Sequence, residues 1–85
     1  MPNYAKITPV EVLDGIEDFM ETNGYPPTYR DLAESLNVSL STIYIRVERL
    51  AGKGLVEKRP RCARGLSVTE EGLCMLKREG RLAWR

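Results

Sequence analysis

Four hydroxyl side chains divide this sequence into segments, because each stands where a helix can begin. Serine and threonine are favoured just before a helix, where the side-chain oxygen accepts a backbone N–H. Apolar residues follow each of these four at helical spacing. The candidate caps are Thr8, Thr28, Ser39 and Thr69. They predict four helices within 85 residues, which is the length of one small domain.

The first predicted helix follows Thr8, with Pro9 at its first position and Glu11 completing a capping box. Gly24 can end it, and Pro26-Pro27 prevents its continuation. The expected buried residues are Val12, Leu13, Ile16, Phe19 and Met20. Carboxylates occupy the other face, which we interpret as solvated, with a contact to a basic partner as the alternative.

Two more helices are expected close together in the chain. Thr28 and Asp31 form the cap pair of a helix over residues 29–36, and a third helix is predicted from Ser39 to about Gly52. The expected buried stripe of the third helix is Leu40, Ile43, Val47 and Leu50. Two helices separated by so short a turn are typical of a helix-turn-helix.

The apolar period changes after the third helix. Leu55–Lys58 and Gly65–Val68 read as strands, and the six residues 59–64 between them predict a hairpin. A fourth helix follows Thr69. This order predicts a mainly α fold with a small β-hairpin (α+β). In that fold, a winged helix-turn-helix, a three-helix core is followed by a wing and a C-terminal helix. We expect one domain over residues 1–85, with its core in 8–68 and a C-terminal helix and tail in 69–85.

Charge is distributed unevenly, although the net charge is only +1. Residues 1–45 carry two cations and seven anions, whereas residues 46–85 carry eleven cations and five anions. Seven of those cations lie within residues 46–64, beside two anions. Such a local excess is typical of a protein that binds a polyanion, and a solvated basic face is the alternative.

The third helix carries side chains suited to reading bases. Hydroxyls can bond base edges, isoleucine can contact a thymine methyl group, and arginine can bind guanine bidentately. If the buried stripe faces inward, the outward side presents Ser41, Thr42, Ile45, Arg46 and Arg49. We predict that these five residues read the major groove of double-stranded DNA. An ordinary polar surface helix is the alternative.

A second group is expected to contact the DNA backbone. The loop 58–64 concentrates four cations, and Pro60 stiffens it, which lowers the cost of ordering it on binding. Arg61 or Arg64 could enter a minor groove, while charges that discourage edge aggregation are the alternative. Tyr44 touches a phosphate or packs against the wing. The predicted backbone contacts are Thr28, Ser39, Tyr44, Lys53, Lys58, Arg59, Arg61 and Arg64.

Several function classes find no support in the composition. No apolar run approaches the ~20 residues of a membrane span, and the N-terminus lacks the pattern of a signal peptide. We therefore expect a cytoplasmic, nucleoid-associated protein. Cys62 and Cys74 form no close pair and histidine is absent, so we expect no metal or cofactor. No catalytic constellation and no small-molecule effector are evident, so we expect a binding protein rather than an enzyme.

The C-terminal tail is more apolar than so small a core requires. Its large apolar residues include Leu82 and Trp84. Trp84 either packs back onto the domain or forms a dimer contact. We expect a homodimer, because helix-turn-helix proteins often pair to read two half-sites.

Several short motifs resemble the DNA-binding domain of LexA-type repressors over roughly residues 8–68. They are Tyr25-Pro26-Pro27-Thr28, Asp31-Leu32-Ala33 with Leu36, Leu50, Lys53-Gly54-Leu55-Val56-Glu57 and Arg64-Gly65-Leu66. The resemblance implies a third helix in the major groove and a wing on the backbone or minor groove. It therefore implies a sequence-specific regulator, which we expect to be a repressor. The segment 67–72 instead resembles MarR- and PadR-like winged helices.

The resemblance does not extend to every LexA property. No self-cleaving domain follows in this sequence, so autoproteolysis is not expected, and the opening of the third helix departs from LexA, so the operator cannot be transferred. The alternative function is a winged-helix adaptor that binds other proteins. An RNA reader is disfavoured, because the basic region offers no aromatic platform apart from Tyr44.

Overall fold

The computed structural model describes residues 7–62 and 64–80. Its elements are α1 (Pro9–Asn23), α2 (Tyr29–Leu36), α3 (Leu40–Gly52), β1 (Val56–Lys58), β2 (Leu66–Val68) and α4 (Glu70–Arg78). Four helices and one antiparallel hairpin form the predicted winged helix. Leu82 and Trp84, on which the expected dimer contact rests, lie outside the described residues.

The four helix starts predicted from hydroxyl side chains are confirmed. Thr8, Thr28, Ser39 and Thr69 each precede a helix, and each side-chain oxygen accepts the backbone N–H three residues further on. Capping boxes are complete at Thr8 and Thr28. At the other end of α2, Asn37 adopts the left-handed conformation (φ 59°) and turns the chain directly into α3. Local chemistry therefore sets the helix-turn-helix.

The core lies where the first three helices meet the hairpin and α4. Its fully buried aliphatic side chains include Leu13, Ile16, Leu32, Ile43 and Leu76. The hairpin is one residue shorter at the start of each strand than predicted, and it pairs Val56 with Val68 and Lys58 with Leu66. Each strand buries one aliphatic side chain against the helices, which fixes the wing to the core.

The expected burial of the apolar side chains at the end of α1 is wrong. Phe19 and Met20 at the end of α1 are only partly buried, and Phe19 packs edge-on against Tyr25 with the ring centroids 5.8 Å apart. Cys74 on α4 and Cys62 in the wing are both exposed. α4 is nevertheless held closely, because the Thr69 hydroxyl donates to the Gly54 carbonyl at 2.6 Å.

Candidate nucleic-acid interface

The start of α2, the start of α3 and the wing form one continuous surface. An open groove between them is lined by Thr28 and Arg30 from α2, Leu40 and Tyr44 from α3, and Cys62 from the wing. A second groove runs along the wing and shares Tyr29 and Cys62 with the first. The start of α3 and the wing loop therefore lie side by side.

The exposed face of α3 is rotated by about one residue from the predicted one. Leu40, expected in the core, is 38% exposed, whereas Thr42, expected to face DNA, is only 9% exposed. The Thr42 hydroxyl lies 2.9 Å from that of Ser39, inside the cap of the helix. The predicted outward orientation of Thr42 is therefore wrong, because its side chain takes part in capping and packing.

Arg46 also departs from its expected position. It follows Thr42 by four residues and precedes Leu50 by four, so it lies on the side of the helix that carries buried residues. Its side chain is partly buried. Two of the other predicted base readers, Ser41 and Arg49, are exposed, and Ile45 is 53% exposed. These three residues and Tyr44 make up most of the face that α3 can present to a groove.

Tyr44 is both exposed and held in place. The residue is 52% exposed, yet its ring packs against the ring of Tyr29 on α2 with centroids 4.5 Å apart. Burial raises the pKa of the Tyr29 phenol, which therefore stays neutral. The tyrosine pair joins α2 to α3 at the edge of the groove. Sequence reasoning missed Tyr29, whose partner lies fifteen residues away.

Lys58, predicted as a backbone contact, forms an ion pair with Glu48 on α3. Both side chains are partly exposed, and the hydrogen bond from the ammonium group raises the pKa of Lys58. An exposed pair of this kind contributes little to stability, because water and salt screen it. Glu48 itself lies on the exposed face of α3, where sequence reasoning treated it only as a neutralising charge. The pair connects the base of the wing to the middle of the helix.

Arg64 was predicted as a backbone contact of the wing, and its guanidinium group turns back onto the body of the domain. It donates to the Asp31 carboxylate and to the Pro26 carbonyl, each at 2.9 Å. It also lies over the ring of Tyr25, 4.6 Å from the centroid. Arg64 therefore makes three contacts within the protein.

The remaining predicted cations fall into two places. Arg59 and Arg61 are exposed in the wing loop, residues 59–65, and Arg61 adopts the left-handed conformation (φ 64°). Lys53 lies past the far end of α3 and lines a groove with Glu70 and Glu71 of α4. The structure therefore does not bring Lys53 together with the wing loop.

Arg30 is a cation that sequence reasoning missed, because it was counted with the acidic half of the chain. It is exposed on the first turn of α2 and lines the same groove as Tyr44. Arg30 lies two residues after the cap Thr28, which was itself a predicted backbone contact, and this position could have identified it from the sequence. Within residues 7–62 and 64–80, Arg30, Arg49, Arg59 and Arg61 form no ion pair. Their charges remain available to an anion.

The rest of the described chain offers no competing site of a recognisable kind. Across residues 7–62 and 64–80, no grouping of cysteine and acidic side chains is arranged to hold a metal ion. None of the helices in those ranges has the length and apolar character that a bilayer crossing requires. The pockets found there are open grooves along α2, α3, α4 and the wing.

Comparison with known proteins places this sequence in a family. A family model described as the LexA DNA binding domain matches residues 8–65. The LexA repressor of Leuconostoc mesenteroides is 44% identical over 71 residues, which cover 79% of this chain and 33% of that protein. The LexA repressor of Limosilactobacillus reuteri is 35% identical over 77 residues, covering 89% and 37%.

A third relative gives a similar result. The LexA repressor of Oleidesulfovibrio alaskensis is 36% identical over 66 residues, covering 75% of this chain and 32% of that protein. The chain therefore spans about a third of the length of the curated relatives that it matches. The matched part contains α1 to α3 and the wing loop.

Proposed function

The chain belongs to the family of LexA DNA-binding domains, and we propose that it binds double-stranded DNA in a sequence-specific manner and acts as a transcriptional repressor. One observation carries this proposal. The exposed face of α3 and the wing loop adjoin in one surface, and this surface bears arginines that no carboxylate of the described chain neutralises. We transfer no other activity of the longer relatives to this chain.

α3 supplies the groups for reading bases. In a helix-turn-helix, residues near the start of the second helix reach base edges in the major groove. Ser41 and Ile45 are exposed in the first half of α3 and Arg49 is exposed in its last turn. They offer a hydroxyl, a methyl contact and a guanidinium fork. Arg46 remains a predicted base reader, although it must extend from the partly buried side of α3.

The wing loop and the start of α2 supply the groups for binding the backbone. Arg30 lines one groove with Leu40 and Tyr44 of α3 and Cys62 of the wing loop, and Arg59 and Arg61 are exposed in that loop. Thr28 and Tyr44 line the same groove, and Ser39 caps the start of α3. Three phosphate contacts predict a slope of about −2.7 in a plot of log affinity against log salt concentration, or roughly a 40-fold loss between 50 and 200 mM.

The primary experiment is selection of bound sites from a random pool of duplexes, followed by fluorescence anisotropy on the selected site. Arg49→Ala is expected to cost about 1–3 kcal/mol and to relax the consensus, whereas Arg59→Ala is expected to weaken all duplexes alike. Lys77→Ala is the matched control, because it removes the same charge from α4, which packs against α1 and β2. Failure of any duplex to bind at low salt would refute DNA binding and favour a protein adaptor.

Ile45 allows a chemical test of base reading. If its exposed side chain contacts a thymine methyl group, replacing that thymine by deoxyuridine removes about 0.8 kcal/mol of apolar contact, or roughly fourfold in affinity. In Ile45→Ala the same replacement is expected to have no effect, since neither partner remains. An equal penalty in both proteins would show that Ile45 does not read the methyl group.

We further propose that the protein works as a homodimer at the nucleoid, since two copies can read two half-sites one helical turn apart. A two-fold symmetric consensus from the selection, together with a binding stoichiometry of two chains per site, is the expected result. An asymmetric consensus bound by one chain would refute the dimer and leave DNA binding intact.

A further inference from the structure

Arg64 joins two parts of the fold that are far apart in the sequence. It follows the tip of the wing loop, yet its contacts are with Pro26 and Asp31, 38 and 33 positions earlier. The guanidinium group uses its charge on the carboxylate, its N–H on the carbonyl and its flat face on the Tyr25 ring. Only arginine among the side chains combines these three modes of contact.

The acceptor side of this contact is also held by bonds that do not involve Arg64. Asp31 closes the capping box of α2, accepting the Thr28 backbone N–H at 3.1 Å. That hydrogen bond, with smaller help from Arg64, lowers the pKa of the Asp31 carboxyl, so the acceptor is charged. Pro27 beside it is fully buried. The carboxylate is therefore fixed relative to the reading helix α3, which follows α2 after a short turn.

The hairpin that carries the wing loop is short. Its strands are only three residues long, and an isolated two-stranded hairpin is marginal in water. Across the loop, the Arg59 N–H donates to the Gly65 carbonyl at 3.1 Å. Gly65 lies so close that a Cβ there would approach the Arg59 Cβ to 2.7 Å. Fixing Arg64 therefore also fixes the neighbouring backbone that carries Arg59.

We infer that Arg64 is a positioning residue of the DNA interface, which latches the wing loop to the first turn of α2 so that Arg59 and Arg61 stand at a set distance from α3. The latch is defined as Arg64 with Tyr25, Pro26 and Asp31. This inference rests on the proposed function, and it assigns Arg64 a role other than the phosphate contact that its charge alone suggested.

Asp31→Asn distinguishes a latch from a phosphate contact, because the two roles of Arg64 predict opposite changes in DNA affinity. Asparagine keeps an oxygen for the Thr28 cap but loses the ion pair. If Arg64 is a latch, binding to the selected duplex is expected to weaken about fivefold. If Arg64 instead binds phosphate, freeing it and removing an anion is expected to tighten binding. Glu34→Gln is the matched control, because it removes a charge from the exposed side of the same helix and leaves the latch intact.

Two further variants sharpen the assignment. Arg64→Lys keeps the charge but loses the fork and the ring contact, so a latch is expected to fail in it while a phosphate contact would survive. Arg61→Ala is expected to weaken binding clearly in the wild type and little in an Arg64→Ala background, because an unlatched wing no longer presents Arg61. Independent, additive losses would contradict the latch.

A measurement without DNA keeps the inference separate from the proposed function. Hydrogen exchange of the Arg59 amide is expected to accelerate about tenfold in Arg64→Ala and in Asp31→Asn, with α3 amides unchanged. Unchanged exchange in the wing, or tighter DNA binding by Asp31→Asn, would overturn the latch. If the wild type binds no duplex while the exchange changes as expected, the proposed function fails and the structural latch stands.

Discussion

The contact between α4 and the base of the wing can be tested at a single glycine. Gly72 lies in the first turn of α4, and a Cβ built there would meet the Leu55 carbonyl oxygen at 2.4 Å and the Val68 Cγ1 at 2.6 Å. Both distances are about 1 Å shorter than an ordinary contact, and one obstacle is backbone that cannot rotate away. Gly72→Ala must therefore push α4 off the hairpin.

The expected change in the free energy of unfolding is the sum of two destabilising effects and one stabilising effect. Overpacking costs about 1–3 kcal/mol, and displacement of α4 weakens the hydrogen bond from the Thr69 hydroxyl to the Gly54 carbonyl, which contributes about 1 kcal/mol. The higher helix propensity of alanine returns up to ~1 kcal/mol. We expect a net loss of about 2 kcal/mol, which corresponds to a melting temperature lower by roughly 8–16 °C.

Gly52→Ala is the matched control for this prediction. Gly52 ends α3 and has nothing within 4 Å of its would-be Cβ, so only helix propensity changes and stability is expected to rise by about 0.5 kcal/mol. Thermal and urea unfolding followed by circular dichroism measure both variants. A Gly72→Ala protein as stable as Gly52→Ala would show that α4 does not pack closely on the wing.

Three other predictions test the loop, the cap and the core. Arg61→Gly relieves a left-handed backbone that costs an L-residue ~1–2 kcal/mol. It is expected to leave the melting temperature unchanged or higher while lowering the salt slope of DNA binding by about 0.9. Because the folded pKa of Asp31 is lowered, its stabilising effect is present above pH ~4 and fades as the pH falls through the folded value. The difference in melting temperature between wild type and Asp31→Asn is therefore expected to shrink in acid, and a constant difference from pH 7 to 2.5 would contradict this. Ile43→Ala, at a fully buried site, is expected to cost about 3 kcal/mol, whereas Ile45→Ala is expected to stay within ~0.5 kcal/mol, and equal losses in urea unfolding would refute the orientation of α3.

Local chemistry made the helices of this protein readable from its sequence. A hydroxyl cap and its N–H partner are three residues apart, so Thr8, Thr28, Ser39 and Thr69 could be identified without knowledge of the fold. The change from helical to alternating apolar spacing likewise located the hairpin to within one residue at each strand.

The direction in which α3 faces was less accessible to the sequence. Consecutive residues are about 100° apart around a helix, so an error of one residue moves a side chain from the buried face of the helix to its exposed edge. Leu40 looked like a core residue and Thr42 like a DNA contact, but the cap formed with Ser39 draws Thr42 inward. Apolarity alone cannot reveal that a hydroxyl is satisfied within its own helix.

The sequence by itself determined where this chain is helical, where it forms a wing and which half of it is basic, because each property depends on neighbours within a few residues. Only the tertiary structure decided which cations meet carboxylates. Lys58 and Glu48 are ten residues apart, and Arg64 and Asp31 are thirty-three apart. A pairing at that separation exists only when packing brings two elements together, so a cation bound for DNA and one that holds the wing look alike until the chain is folded.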